Sequence, residues 1–174
     1  MIWHDADVAR CSDGRGDLKH LGWTQAQKLD VGGWFNDDFA GERMASLAAM
    51  LELLNELEMG VNMELKVNKG HDPRLLAETC LPPMLAELPC ERLIISSFSQ
   101  PALQTCREQA DAQTLALGLL CDALPPDWQA LCQRLEAFSI HPSWYRLKRA
   151  QAEAIKQAGY ALLCYTVNDP SAFT

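Results

Sequence analysis

The sequence predicts an α/β fold built on a parallel sheet, and two observations carry that expectation. Short apolar runs recur along the chain, each followed by an amphipathic helical stretch. After the second run the spacing is roughly 20–32 residues, the size of one strand-plus-helix unit. Repeated units of this kind imply parallel strands with helices packed on them, and active groups then belong at the C-terminal ends of the strands. The length of 174 residues, 48% hydrophobic and 22% charged, suits one globular domain over residues 1–174 and is too apolar for a disordered chain.

The strand candidates are Met1–His4, Val61–Lys66, Leu93–Phe98, Leu117–Cys121, Ala137–His141 and Ala161–Val167. The helices between them carry end signals. Ser46 caps a helix whose Leu47, Met50, Leu51, Leu54 and Leu57 share one face, with Gly60 just past its end. Asp72 before Pro73, and Ser99 two residues before Pro101, mark two further starts. Thr24 with Gln27 reads as a capping box, and a helix over Trp144–Ala158 is closed by Gly159. Residues 5–45 break the rhythm. Rich in Gly, Asp and Trp with one short helix, they read as an inserted subdomain beside the site, or else as a large ordered loop with no role.

Charge and composition exclude several function classes. A net charge of -8 disfavours nucleic acid, which needs a basic face. No apolar run approaches the ~18–20 residues of a membrane span, so no membrane partner is expected. The N-terminal MIWHDAD lacks the regions of a signal peptide. Seven cysteines, an odd number with no CxxC pair, suggest neither zinc nor a disulfide framework and point to a reduced, cytoplasmic protein. No GxSxG, Walker A or GxGxxG pattern occurs.

Polar residues at strand ends are the candidates for chemistry. Alternation along Val61–Lys66 sets Asn62, Glu64 and Lys66 on one face, where a carboxylate, an amide and an ammonium suit a hard metal ion beside a phosphate. The same residues would also serve as a plain Glu–Lys ion pair on an exposed strand. His4, followed by Asp5, and His141 each end an apolar run, as proton-transfer groups or as structural histidines. His71 belongs to a loop and cap, and His20 to the solvated insert. Ser96, Ser97 and Phe98, and Tyr165, Thr166 and Asn168, either shape a polar ligand pocket or make ordinary strand-end hydrogen bonds.

An ordered series of these segments resembles the glycerophosphodiester phosphodiesterase family. His4-Asp5 is followed by Arg10–Gly16 (RCSDGRG), Leu29–Phe35 (LDVGGWF), Phe39–Glu42 (FAGE) and Asn62–Lys66 (NMELK). Ser96–Phe98, Ser139–His141 and Tyr165–Asn168 continue the likeness over essentially the whole chain. The resemblance is greatest to the bacterial cytoplasmic enzymes of glycerol-3-phosphate uptake. It implies a TIM-type (β/α)8 barrel with a small insertion after the first strand. It also implies hydrolysis of glycerophosphodiesters to sn-glycerol 3-phosphate and an alcohol, with a divalent cation, Mg2+ or Ca2+, held by carboxylates. Of those carboxylates Glu64 has a match here, His4 matches a catalytic histidine, and Lys66 matches a lysine beside the phosphate. Asn62, Phe98, His141, Tyr165 and Asn168 are then expected to line the small-molecule substrate.

The family pattern opens with a His-Arg-Gly strand, a Pro-Glu-Asn-Thr loop and a Glu-Phe-Asp strand ahead of the His-Asp motif, and ends on a Thr-Asp strand. None of these is present in the sequence. TIM barrels take ~250 residues and rarely fewer than ~200. The barrel is therefore expected to be incomplete at both ends, with open sheet edges that favour a homo-oligomer. The rival expectation is a catalytically inactive or partial barrel acting only as a binding or structural module.

Overall fold

The protein, described as a computed structural model over residues 1–169 and Ser171, divides into two compact units, Met1–Glu58 and the residues from Met59 onward.

The first unit carries little regular structure. Helix α1 spans only Trp23–Ala26, short 3-10 turns cover Ala9–Cys11, Leu18–His20 and Asp37–Phe39, and α2 runs over Leu47–Glu56. A small core of Val8, Ala26 and Met44, with Trp3, Leu18, Leu21, Leu29 and Val31 packed against it, holds the turns together. The glycine- and aspartate-rich composition has a specific use here. Asp30 accepts the N–H groups of Gly32 and Gly33 at 2.9 Å each through Oδ1, and that of Gly41 at 2.7 Å through Oδ2. These bonds hold its carboxyl below the usual carboxylate range. A Cβ on Gly32 would lie 2.1 Å from the Phe39 carbonyl oxygen, so only glycine closes this loop.

Two expectations change in this unit. Met1–His4 is not a strand: Ile2 donates to the Ala45 oxygen at 2.9 Å, and no ladder forms. A strand exists only as one half of a ladder, and the segment finds one carbonyl instead. The capping pair sits two residues earlier than Thr24 and Gln27, with Gly22 at the cap donating its N–H to Gln25 Oε1 at 3.3 Å. Ser46 does cap α2, accepting from Ala49 at 3.0 Å, and Glu58 at φ 51, rather than Gly60, makes the left-handed exit.

The second unit is a five-stranded parallel sheet. Strands β1 (Val61–Glu64), β2 (Leu93–Ser97), β3 (Ala116–Cys121), β4 (Ser139–Pro142) and β5 (Ala161–Leu162) lie side by side in sequence order. Each crossover steps one strand in the same direction, which lays down a barrel wall and not the reversing order of a doubly wound sheet. Helices α3 (Pro73–Glu87), α4 (Gln100–Gln109), α5 (Trp128–Leu135) and α6 (Arg149–Gln157) follow the first four strands. Asp72 caps α3 through Arg74 and Leu75, and Ser99 caps α4 through Ala102. The expected helix from Trp144 is divided into a 3-10 turn at Trp144–Arg146 and α6, which Gly159 closes at φ 86. The strand expected over Ala161–Val167 keeps only two ladder residues; past them Leu163 and Tyr165 still donate to the Ile140 and Pro142 oxygens at 3.1 and 3.3 Å, and Ser143 and Tyr165 form one isolated bridge.

Burial divides the sheet by parity. Ile95, Leu117, Leu119 and Ile140, which alternate onto one face, are at most 2% exposed. Helix α4 packs on β2 and β3, with Ala102, Leu103 and Cys106 fully buried. Arg107 braces this layer by donating to the carbonyls of Leu135, Ala110 and Leu115 at 2.9 Å each and of Glu136 at 3.3 Å. It satisfies the ends of α4 and α5 and the approach to β3 with one guanidinium. Arg107→Met keeps most of the stem and removes those donors. Urea unfolding should show a loss of about 2 kcal/mol or more, whereas a loss within about 0.5 kcal/mol would make the brace dispensable.

Candidate active site

The face opposite the buried apolar residues carries the polar groups. Pairing sets Glu64 beside Ser96, Ser96 beside Gly118 and Gly118 beside Ser139, so four strands contribute to one level of that face. Alternation from this level places Asn62 and Lys66 with Glu64, Phe98 above Ser96, and His141 above Ser139.

Glu64 and Lys66 meet, with Nζ 3.2 Å from Oε1 and 3.4 Å from Oε2. Their side chains are 28% and 30% exposed, so the pair is half-buried and still open to water. The sequence left open whether these residues form an ion pair or a site. The geometry provides the ion pair and sets it at the strand's C-terminal end, where an anion would meet the ammonium. Asn62 is exposed at the other end of β1.

His141 is 2% exposed, and its Nε2 lies 2.7 Å from Ser139 Oγ. Gly118 makes room for it, since a Cβ there would stand 2.7 Å from both Cε1 and Nε2 of the ring. Burial lowers the imidazole pKa and keeps the ring neutral. Ser97 donates to the Leu65 oxygen at 2.6 Å and accepts from the Ser99 N–H at 3.0 Å, which is strand-end bonding. The Ser96 hydroxyl is fully buried and has no protein partner.

Tyr165 comes to the same end of the sheet. Its hydroxyl is 3.1 Å from Asp122 Oδ1 and 3.2 Å from the Cys121 oxygen, and its ring meets Phe98 edge to face at 5.9 Å. Burial first, and then the hydrogen bond to Asp122, push its pKa up to about 12, so it remains a phenol and donates. Asn168 is exposed. Asp122 escaped the sequence reading, although it immediately follows the strand candidate Leu117–Cys121 and a search for polar residues at strand ends would have found it.

In the first unit His4 Nδ1 lies 2.6 Å from Asp5 Oδ1, and Arg10 grips Asp5 through Nε at 2.5 Å and Nη2 at 3.1 Å. The Arg10 guanidinium, and then His4, hold the Asp5 carboxyl down at about 2. An ionised Asp5 accepts from Nδ1, which sets the protonated nitrogen and the ring orientation. Burial pushes Cys106, Cys121 and Cys132 up to about 11, so these thiols are packing groups and not nucleophiles.

Comparisons with known proteins bear on the family and the fold. The glycerophosphoryl diester phosphodiesterase family profile matches residues 1–174. A glycerophosphodiester phosphodiesterase of Caldanaerobacter subterraneus subsp. tengcongensis is 32% identical over 169 residues, covering 97% of this chain and 68% of the relative. The structure of an Oleispira antarctica phosphodiesterase, in complex with the product sn-glycerol-3-phosphate, superposes with a TM-score of 0.89 at 27% identity, over 98% of this chain and 68% of that one. A glycerophosphodiester phosphodiesterase from Agrobacterium tumefaciens gives a TM-score of 0.71 at 27% identity, over 98% and 69%.

The neutral, buried His141 has a consequence for stability. With its pKa below the ordinary value in the fold, the unfolded chain takes up the proton first as the pH falls. Stability is thus fully present above the ordinary histidine pKa of about 6.5 and declines below it, at up to about 1.4 kcal/mol per pH unit. Denaturation midpoints between pH 8 and pH 5 should show this decline in the parent and a shallower one in His141→Gln. Equal slopes would mean that His141 is as free to charge in the fold as out of it.

Proposed function

Because the chain belongs to the glycerophosphoryl diester phosphodiesterase family, we propose that it hydrolyses glycerophosphodiesters to sn-glycerol 3-phosphate and an alcohol. The observation that carries this reading is the Oleispira phosphodiesterase with its bound sn-glycerol-3-phosphate, whose fold matches 98% of the chain. In the reaction a water oxygen bonds to phosphorus, the phosphorus–oxygen bond to the alcohol breaks, and the departing oxygen takes a proton. The Lys66 ammonium faces the anionic phosphate, and Glu64 holds that ammonium at the strand end. His4 moves the proton, with its ring oriented by the carboxylate that Arg10 fixes. Residues 5–45 are the barrel's insertion, and seven cysteines free of disulfides suit a reduced cytoplasm. No helix among the described residues is long and apolar enough to cross a membrane.

The resemblance also implies Mg2+ or Ca2+. Glu64 offers one carboxylate, but the described residues include no group of three or more His, Cys, Asp or Glu that could hold an ion. The described residues do not by themselves make up a metal site, and Glu64 is placed to act through Lys66.

The test is release of sn-glycerol 3-phosphate from glycerophosphocholine, with and without added Mg2+ or Ca2+. The parent should release it. His4→Ala should slow kcat by about 10²–10⁴-fold with a smaller change in KM. Lys66→Ala should raise KM as well as lower kcat. A folded parent with no turnover under any condition would favour the rival reading of a binding or structural module. A His4→Ala variant with kcat within a few-fold of the parent would remove His4 from proton transfer.

In the same assay Glu64→Gln tests the ion pair. It should lower kcat/KM at least about tenfold, since an amide no longer holds the Lys66 ammonium. Unchanged kinetics would leave Glu64 a bystander.

A further inference from the structure

We propose that the loop between β4 and α6 is a docking surface for an anionic lipid bilayer, with Tyr145 entering the interface and Arg146, Lys148 and Arg149 meeting the head groups. The proposal does not depend on the hydrolytic reading.

The chain distributes its cations unevenly. It holds 23 acidic and 15 basic residues, for a net charge of -8. From Ala137 to Asn168 the balance reverses, and Arg146, Lys148, Arg149 and Lys156 stand against Glu153, the one acidic residue there. Arg146 and Lys148 are exposed, and among the described residues neither has an acidic partner. Arg149 pairs with Glu153 at 3.1 Å, but its side chain is 93% exposed, so the pair is weak and open to exchange. Lys156 lies seven residues beyond Arg149 and shares its helix face, which the buried Ile155 does not.

Two aromatic rings are held beside these charges. Trp144 begins the 3-10 turn just past β4. Its backbone N–H donates to the Tyr165 oxygen at 3.0 Å and its indole N–H to the Thr166 oxygen at 3.1 Å. The Tyr145 ring rests on that indole, with centroids 4.1 Å apart and a tilt of 31°. Tyr145 is 81% exposed, the most of any large hydrophobic side chain among the described residues. A ring with an apolar body and a polar tip suits the boundary between lipid and water.

Charge complementarity sets the sign of the partner, and the ring favours a bilayer over other polyanions. Each cation adds to binding when it lies within about a Debye length, ~8–10 Å, of an anionic surface. The acidic remainder of the chain is repelled by the same surface, so the molecule approaches with this loop first. A nucleic-acid strand needs a basic track, whereas six residues with three cations make a single point of contact. No spanning helix is required, because surface contact uses only interfacial aromatic and basic groups. The loop leaves the C-terminal end of β4, the end of the sheet that carries Lys66 and Phe98, so docking turns the strand ends toward the head groups.

Binding is read by co-sedimentation of the full chain with vesicles of pure phosphatidylcholine and of its equimolar mixture with phosphatidylglycerol. The anionic vesicles should bind at least about tenfold more tightly than the neutral ones, and added salt should weaken them. Arg146→Gln with Lys148→Gln should reduce anionic binding about tenfold or more. Tyr145→Ala should reduce it at least about threefold. The control, Arg15→Gln with Lys28→Gln, removes two exposed cations elsewhere and should bind as the parent does. All five positions are exposed, so the variants should fold, which circular dichroism checks. Equal binding to both vesicles, an equal loss in the control, or an oligonucleotide bound more tightly than the anionic vesicles would overturn the docking surface. Vesicle binding by a chain that turns over no glycerophosphodiester sinks the hydrolytic reading and leaves the docking surface standing. Turnover without vesicle binding does the reverse.

Discussion

Everything at the candidate site depends on the in-register parallel ladder from β1 to β4. Because each strand pairs with the next at the same level, Glu64, Ser96, Gly118 and Ser139 stand in one row, and alternation sends their neighbours to the helix-covered side. A slip of one residue at β1 would turn Glu64 under the helices, and a slip at β2, β3 or β4 would turn a leucine or isoleucine to the polar face. The cost of burying an unpaired carboxylate or ammonium is far larger than the cost of exposing one aliphatic side chain, so register is enforced by the polar face as strongly as by the apolar one.

The row also shows how small residues make room for functional ones. Gly118 has no side chain because the His141 ring occupies the space above it, and the neutral ring is satisfied by Ser139. His141 is thereby placed as part of the wall and not at its opening. The residues that remain accessible at the strand ends, Lys66, Phe98, Asp122 and Tyr165, are the ones a solute can reach.

Carboxylates organise both compact units. Asp30 gathers three glycine amides of the insert, and Asp5 joins His4 to Arg10. In the second unit Glu64 holds Lys66 and Asp122 anchors Tyr165. An acidic chain that acts on an anionic diester needs its cations in defined places. Here Lys66 pairs with Glu64 and Arg10 with Asp5.

The sequence by itself determined the alternation of strand and helix, the helix starts at Ser46, Asp72 and Ser99, the parity that groups Asn62, Glu64 and Lys66, and the family. These rest on local periodicity, on caps that act within three residues, and on an ordered series of short motifs. Only the tertiary structure decided the rest. Met1–His4 has no ladder because a strand needs a partner that its own residues cannot specify. Tyr165 meets Asp122 across 43 positions of sequence, and His141 lies buried because Gly118, on a neighbouring strand, leaves it space. Contacts of that kind are set by how distant segments pack, and no local pattern encodes them.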